Sequence, residues 1–159
     1  EAIAEYLNEK YPQHPLLPDA LKLRAKVREL SRFHDTRLEP ALRKLFAYIA
    51  PDARDMTVIT QQAQQLNSRL AELAQLLSSI AQDGDTGYTF QTLLTLGDCG
   101  FAISFLWIEQ LSQTMGFAIV WPPIVIDYKA HIQTLDAVAE ELADYQPKLT
   151  QWLATTTLS

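Results

Sequence analysis

Residues 95–111 read TLGDCGFAISFLWIEQL, and this stretch decides the fold. After its first six residues it is apolar at nearly every position, so a helix formed by it has no polar side to present to water. Such a helix must be surrounded by other parts of the chain. The sequence therefore predicts a buried central helix around which the rest of the domain is arranged.

The residues at the start of this stretch carry a helix-start signal. Thr95 and Asp98 have the spacing of a capping box, in which a hydroxyl and an acid three residues later each satisfy a free backbone N–H. Leu94 and Cys99 flank the box at the positions of a hydrophobic staple. We expect the two glycines of the stretch to permit close packing against a neighbouring helix. The pattern indicates a folding signal rather than an active site.

Cys99 is the only cysteine, so the chain forms no internal disulfide. A thiol at a helix N-terminus has a lowered pKa, which makes a nucleophile one hypothesis for this residue. The staple predicts instead that Cys99 is buried against Leu94, and we favour that structural role. The three histidines show no metal-ligand spacing, and we expect no metal site.

A long periodic segment, residues 19–49, precedes the central helix. Its apolar stripe recurs at intervals of three and four residues, which predicts one amphipathic helix. The stripe consists of Leu23, Val27, Leu30, His34, Leu38, Leu42, Leu45 and Ile49. Pro40 removes a backbone donor inside this segment and crowds the preceding turn, so we expect a kink near residues 36–39.

A second segment, residues 59–80, repeats apolar residues at alternating steps of four and three. The repeat is compatible with a coiled coil, but it spans barely three heptads beside a helix of similar length. We therefore expect an antiparallel pair within a bundle.

The remaining segments contain turns and helices. Residues 81–89 (AQDGDTGYT) predict a loop, and residues 116–127 predict a packed connector because two prolines forbid a central strand. We expect a helix over residues 128–142 and a short terminal helix after Pro147. No stretch predicts a sheet. The predicted fold class is all-α, a helical bundle in which a long kinked helix and an antiparallel partner surround the buried, capped core helix.

Composition limits the classes of function. The chain has 159 residues, is 48% apolar and carries a formal net charge of −6, which is typical of one globular domain. It has no apolar run of the roughly 18 residues that span a membrane and no signal-peptide pattern, so we expect a cytoplasmic protein without a membrane partner. The acidic total argues against nucleic acid as the main partner. Residues 18–50 are nevertheless basic, and they either attract an anionic ligand, form an ion-paired interface or are a solvated helix face.

Two motifs resemble one family. TLGDCGF, residues 95–101, is similar to the capping-box and staple motif that starts the core helix in the α-helical C-terminal domain of cytosolic glutathione transferases. EAIAEYLNEKYPQHPLLPD, residues 1–19, resembles the join between the two domains of that family. The resemblance implies that residues 1–17 are the end of a thioredoxin-like domain helix and a linker, and that residues 18–159 are the helical domain. The start inside a predicted helix indicates a segment of a longer protein.

The resemblance also implies how roles are divided. In the family, glutathione is the co-substrate and is held mainly by the thioredoxin-like domain, which also carries the Tyr, Ser or Cys that activates the thiol. No catalytic residue is therefore carried over, and this chain alone should be inactive. The resemblance implies an electrophile pocket along the long helix and a homodimer of the intact protein. The pocket candidates are Phe33, His34, Arg37 and Trp152, and the candidates for dimer contacts are Arg24, Arg28 and Asp35.

The pocket candidates have structural alternatives. His34 lies on the apolar stripe, which favours a core histidine with satisfied hydrogen bonds over a ligand contact. Arg37 either orients an anionic substrate or forms an ion pair with Glu39 or Asp35. Trp152 either closes the pocket or belongs to the core.

The function predicted from the resemblance is the electrophile-site and dimer-contact domain of a glutathione transferase that conjugates glutathione to an electrophilic small molecule. The alternative is a non-catalytic glutathione transferase-like module for protein interaction, of the elongation-factor or regulatory type. It stays open because the recognised motifs serve folding.

Overall fold

The structure is a computed structural model and describes residues 2–13, 15–82 and 94–158. Its α-helices are α1 (Ala2–Lys10), α2 (Leu21–Phe33), α3 (Glu39–Arg43), α4 (Met56–Gln82), α5 (Phe101–Met115), α6 (Pro123–Ile132) and α7 (Asp136–Leu158). A π-helical turn (His34–Leu38) joins α2 to α3, and two short 3-10 helices (Phe46–Tyr48 and Pro51–Ala53) precede α4. No β-strand occurs in the three described ranges, which confirms the all-α class. Residues 83–89 of the predicted loop lie outside the described residues.

The interruption predicted at Pro40 takes the form of the π-helical turn. Pro40 is the second residue of α3 and has no N–H to donate to the carbonyl one turn earlier. Just before it, the N–H of Glu39 donates to the carbonyl of His34, five residues back. The wider turn makes room for the proline ring. The apolar stripe continues through it, because His34 and Leu38 are both buried.

Helix α4 runs antiparallel to α2 and α3, as predicted. Phe33 of α2 lies beside Glu72 of α4, whereas further along the chain Lys44 donates to the side chain of Gln65 (3.3 Å). Moving from Phe33 to Lys44, the neighbouring residue of α4 changes from Glu72 back to Gln65, so the two segments run in opposite directions. Every apolar residue of the predicted repeat is buried: Ile59, Ala63, Leu66, Leu70, Leu73, Leu77 and Ile80.

Helix α5 is the central helix, and it packs against α3, α6 and α7. Its buried residues are Phe101, Ala102, Ser104, Phe105, Leu106, Ile108, Leu111 and Met115. The rings of Phe101 and Phe105 each meet the ring of Tyr128 edge-on, at 5.6 and 6.3 Å between centroids, which joins α5 to α6. Gly116 ends α5 with a φ of 74°, a left-handed conformation that favours glycine.

Several predicted boundaries beyond α5 were wrong, two of them at prolines. Pro123 is the first residue of α6, where a missing N–H costs nothing, so residues 123–127, five of the twelve in the predicted connector, are helical. The chain leaves the helical conformation at residues 133–135, which splits the helix predicted over residues 128–142. Helix α7 continues through Pro147. Pro147 and Ala143, whose carbonyl loses its helical donor, are both exposed, so water can replace that hydrogen bond.

Candidate functional site

The Thr95–Asp98 motif forms only one half of the predicted capping box. The backbone N–H of Thr95 donates to Asp98 Oδ2 (2.9 Å). The Thr95 hydroxyl donates to the same oxygen (2.6 Å), and the Asp98 N–H donates to the Thr95 carbonyl (3.0 Å) instead of to that hydroxyl. The hydroxyl of Tyr128 donates to Asp98 Oδ1 (2.6 Å). The carboxylate therefore connects the residues before α5 to α6.

Helix α5 begins later than the box predicts. Residues 96–100 form turns, in which the Phe101 N–H donates to the Asp98 carbonyl (3.1 Å). The helix starts at Phe101, and no side chain of the described residues caps it at Gly100. The aspartate side chain is shorter than the Glu of the usual box. The Asp98 carboxylate accepts hydrogen bonds from Thr95 and Tyr128. It therefore stabilises the turns that precede α5 and does not cap the first turn of the helix.

Cys99 is exposed, and its predicted burial against Leu94 was therefore wrong. The thiol donates to the Thr95 carbonyl (3.3 Å), and Cys99 and Leu94 both line a largely apolar cavity of about 260 Å³ between α5 and α7. Partial desolvation of the sulfur, together with the negative charge of Asp98, raises the pKa of Cys99. A nucleophile needs a lowered pKa, so the environment argues against that hypothesis.

His34 is a buried histidine with both ring nitrogens hydrogen-bonded. Nδ1 lies 2.8 Å from Asp35 Oδ1, and Nε2 lies 2.8 Å from Ser104 Oγ on α5. An ionised carboxylate only accepts, so Nδ1 donates to Asp35, and Nε2 shares the second hydrogen bond with the Ser104 hydroxyl. Phe101 meets the ring edge-on at 5.0 Å between centroids. These contacts connect the π-helical turn to α5.

The two glycines before α5 permit the close packing that the sequence predicts. A Cβ on Gly100 would lie 2.3 Å from Cε1 of His34, and a Cβ on Gly97 would lie 3.0 Å from the carbonyl oxygen of Val27. Any side chain at position 100 would therefore displace the imidazole ring or α5.

A groove between α2 and α4 contains two of the four predicted pocket residues. Phe33 and Arg37, which are four residues apart, both line it, and its volume is about 560 Å³. Phe33 is half-buried and Arg37 is exposed. The other residues lining the groove are Glu29, Arg32, Thr36, Glu72 and Leu76. The groove therefore combines an aromatic ring with basic, acidic and hydroxyl groups.

Arg37 forms no hydrogen bond or ion pair within the described ranges. Both acids considered as its partners bond elsewhere: Glu39 accepts from Arg43 (2.7 Å), and Asp35 accepts from His34. The surface ion pairs proposed as the alternative role of Arg37 are thus not formed. Its planar guanidinium, with the donors that suit carboxylate and other oxygen acceptors, is free for another partner.

Trp152 is not among the residues that line this groove. Its ring lies edge-on to Trp107 (5.9 Å between centroids), which contacts Phe46 (4.6 Å) and donates Nε1–H to the hydroxyl of Tyr145 (2.9 Å). Trp152 remains 48% exposed. His34 also lies outside the groove, because its ring is directed to α5. The four predicted pocket residues therefore do not form one pocket: only Phe33 and Arg37 share it.

The three predicted dimer contacts all have partners within the chain. Arg28 donates to both carboxylate oxygens of Glu5 in α1 (2.6 and 2.9 Å), and these hydrogen bonds lower the pKa of Glu5. Arg24 donates to the backbone carbonyls of residues 18 and 19 (3.0 and 3.4 Å), and Asp35 accepts from His34. The contacts of Arg28 and Arg24 hold α1 and residues 18–19 against α2. A role in a dimer stays a prediction.

Two polar residues of this region, Ser104 and Tyr128, were not predicted from the sequence. Ser104 is the one polar residue between positions 101 and 108, and a lone hydroxyl in an apolar helix signals a buried polar partner. Tyr128 gave no comparable signal, because a tyrosine in an amphipathic segment is ordinary.

Within the described part of the chain, no three His, Cys, Asp or Glu residues are grouped so that they could hold a metal ion. None of the helices described there combines the length and the apolar character needed to cross a bilayer. No family model, no curated protein and no solved structure matches this chain.

Proposed function

We propose that this chain is the electrophile-site and dimer-contact domain of a cytosolic glutathione transferase, working with a thioredoxin-like domain that binds glutathione. The observation that carries the proposal is the groove between α2 and α4, where Phe33 and the unengaged Arg37 lie together. The family assignment comes from the motifs at residues 1–19 and 95–101, which resemble the domain join and the core-helix start of that family.

The groove offers two complementary contacts to a small electrophile. The ring of Phe33 provides an apolar face, and the guanidinium of Arg37 donates hydrogen bonds to a nitro, carbonyl or carboxylate group. The contribution of such a domain is positional: it holds the electrophile beside the glutathione thiolate, which converts a bimolecular encounter into a reaction within one complex. The proposal assigns no proton transfer or bond making to a residue of this chain.

A non-catalytic module for protein interaction is the second candidate, and one observation favours it. Trp152 and His34 do not join Phe33 and Arg37, so the groove lacks two of the four side chains expected of an electrophile pocket. An open groove with charged margins also suits a segment of another protein.

The test compares the full-length product of the gene with the 159-residue chain alone. Titration calorimetry should detect glutathione binding by the full-length protein only, and the full-length protein should conjugate glutathione to chlorodinitrobenzene. The Arg37→Ala variant should raise the KM for that electrophile by about 2- to 10-fold, the loss expected for one hydrogen bond, while glutathione affinity stays unchanged. Lys148→Ala, an exposed cation on α7 paired with Asp144, is the control and should change neither.

Two results would contradict the proposal at different levels. A full-length protein that does not bind glutathione is not a transferase, and the interaction module then becomes the better explanation. Normal conjugation with an unchanged KM in Arg37→Ala would remove the groove from the electrophile site.

A further inference from the structure

A second cavity, of about 360 Å³, lies between the segment that precedes α4 and helices α5 and α7. Its lining residues are Arg54, Gln110, Thr114, Thr150, Leu153, Ala154 and Thr157. None of them lines the groove between α2 and α4, and none has a role in the function proposed above. The volume falls within the range of about 300–1,000 Å³ that is usual for small-molecule sites.

Arg54 contributes a guanidinium with an unmet requirement for acceptors. One terminal nitrogen donates to the carbonyl of Ile49 (3.2 Å), whereas Nε is inaccessible to water and has no partner among the described residues. No carboxylate of the described ranges forms an ion pair with Arg54. Arginine stays charged at any physiological pH, so a positive charge is partly withdrawn from water here without a counter-charge.

Two further unengaged donors line the cavity from α5. Gln110 and Thr114 are four residues apart and therefore share one face of the helix. Neither side chain forms a hydrogen bond within the part of the chain that the structure describes. Thr150 and Thr157 differ, because their hydroxyls already donate to carbonyls of α7. The free donors are thus Arg54, Gln110 and Thr114.

We propose that this cavity binds a small organic carboxylate. The carboxylate pairs with the terminal nitrogens of the Arg54 guanidinium, because Nε is inaccessible from the cavity, and the amide of Gln110 and the hydroxyl of Thr114 donate further hydrogen bonds to its oxygens. Leu153 and Ala154 provide an apolar wall, so the ligand has an aliphatic or aromatic body. The chain as a whole carries a charge of −6 and does not attract anions in general, so affinity comes from these local donors.

The test titrates the full 159-residue chain at constant ionic strength with three probes. Benzoate carries both the carboxylate and the apolar body, benzyl alcohol has a similar shape without the charge, and inorganic phosphate is an anion without the body. Calorimetry should show saturable binding of one benzoate per chain. Benzyl alcohol and phosphate should each bind at least about tenfold more weakly, as expected when a charge-assisted hydrogen bond or the apolar contact is lost.

Variants assign the binding to the cavity. Arg54→Met keeps the apolar stem and removes the charge, and it should weaken benzoate binding by at least about tenfold. Thr114→Val keeps the shape and removes one donor, and it should weaken binding by about 2- to 10-fold. Arg43→Met, at an exposed arginine paired with Glu39, is the matched control and should leave the affinity unchanged. If Arg54→Met does not fold, Gln110→Glu replaces it, because it places a like charge beside the ligand.

Benzoate binding that is no tighter than that of benzyl alcohol would overturn the proposal. The proposal would also be overturned if benzoate binding is weakened neither by Thr114→Val nor by the charge variant used, Arg54→Met or Gln110→Glu. Phosphate that binds as tightly as benzoate would overturn the assignment to an organic carboxylate. Each of these results is independent of whether the full-length protein binds glutathione.

Discussion

The imidazole ring of His34 fills the space beside Gly100, where a Cβ would lie 2.3 Å from Cε1 of the ring. The π-helical turn that carries His34 and the chain entering α5 are therefore in direct ring-to-backbone contact. One turn further along α5, Ser104 holds the same ring through Nε2 (2.8 Å). Position 100 requires glycine because of its neighbour, and not because of its own backbone conformation, since its φ is −88°.

Gly100→Ala should destabilise the fold by about 1–3 kcal/mol, because the added methyl group overpacks the contact with His34. Urea unfolding of the two proteins measures the difference. The control is a double-mutant cycle with His34→Ala, which vacates the space that the methyl group needs. The double variant should therefore lose less stability than the sum of the single variants. Additive losses would show that the ring contact is not the reason for glycine at this position.

Asp98→Asn should cost about 1.5–3 kcal/mol of unfolding free energy. Both carboxylate oxygens accept from donors, Oδ2 from Thr95 and Oδ1 from Tyr128. An amide NH₂ group at the Oδ2 site would face the Thr95 N–H, and at the Oδ1 site it would displace the hydrogen bond that Tyr128 donates. Tyr128→Phe removes only one hydrogen bond and should cost about 1 kcal/mol. The same unfolding measurement applies to both variants. Equal losses in the two variants would mean that Asp98 acts through Tyr128 alone.

Glu5→Gln should destabilise the protein at neutral pH and have no effect in strong acid. Hydrogen bonds from Arg28 hold the pKa of Glu5 below its ordinary value of 4.5. The stabilisation is therefore fully present above pH 4.5 and is lost as the pH falls through the lowered folded-state pKa. Arg28 is 43% exposed, so we expect less than about 1 kcal/mol at pH 7. Urea unfolding of both proteins from neutral pH to about pH 2 measures the difference in stability. A difference that does not change with pH would show that the lowered pKa of Glu5 does not contribute to stability.

Cys99 should react slowly with maleimide at neutral pH. Desolvation and the charge of Asp98 raise its pKa above the ordinary value of 9.0, so little of the reactive thiolate is present. The rate should rise with a midpoint above that value, and the Asp98→Asn variant should shift the midpoint down by removing the negative charge. A cysteine-containing peptide is the reference. A rate at pH 7 equal to or above that of the peptide would contradict the environment described for the thiol.

The buried faces of the two long periodic segments could be predicted, because the residues that form one helix face recur at regular intervals in the sequence. The prediction that residues 19–49 form one helix was wrong at its end, because α3 ends at Arg43 and residues 46–48 form a 3-10 helix. The repeat from Ile59 to Ile80 is buried throughout, and the stripe from Val27 to Ile49 is buried at each of its apolar positions. The effect of proline could not be predicted from spacing alone. It depends on whether the residue stands at a helix start, as Pro123 does, or on an exposed face, as Pro147 does.

The candidate site was predictable only where it is local. Phe33 and Arg37 share a groove because residues four apart on a helix share a face. Trp152 was assigned to the same pocket only because the sequence resembles a known family. Its position depends on how α7 packs against α5, and the sequence near Trp152 does not indicate that packing. The cavity at Arg54 combines three separate parts of the chain, and none of its residues is unusual in sequence.

A π-helical turn contains one residue more than the α-helical turn that it replaces. The wider turn takes up this extra residue, so α2 and α3 present nearly the same faces as a continuous α-helix that is one residue shorter. Phe33 can therefore line the groove while Leu42 stays in the core. Deleting one residue between positions 34 and 38 would leave these two faces aligned, whereas deleting one residue within α2 or α3 would rotate one face against the other by about 100°.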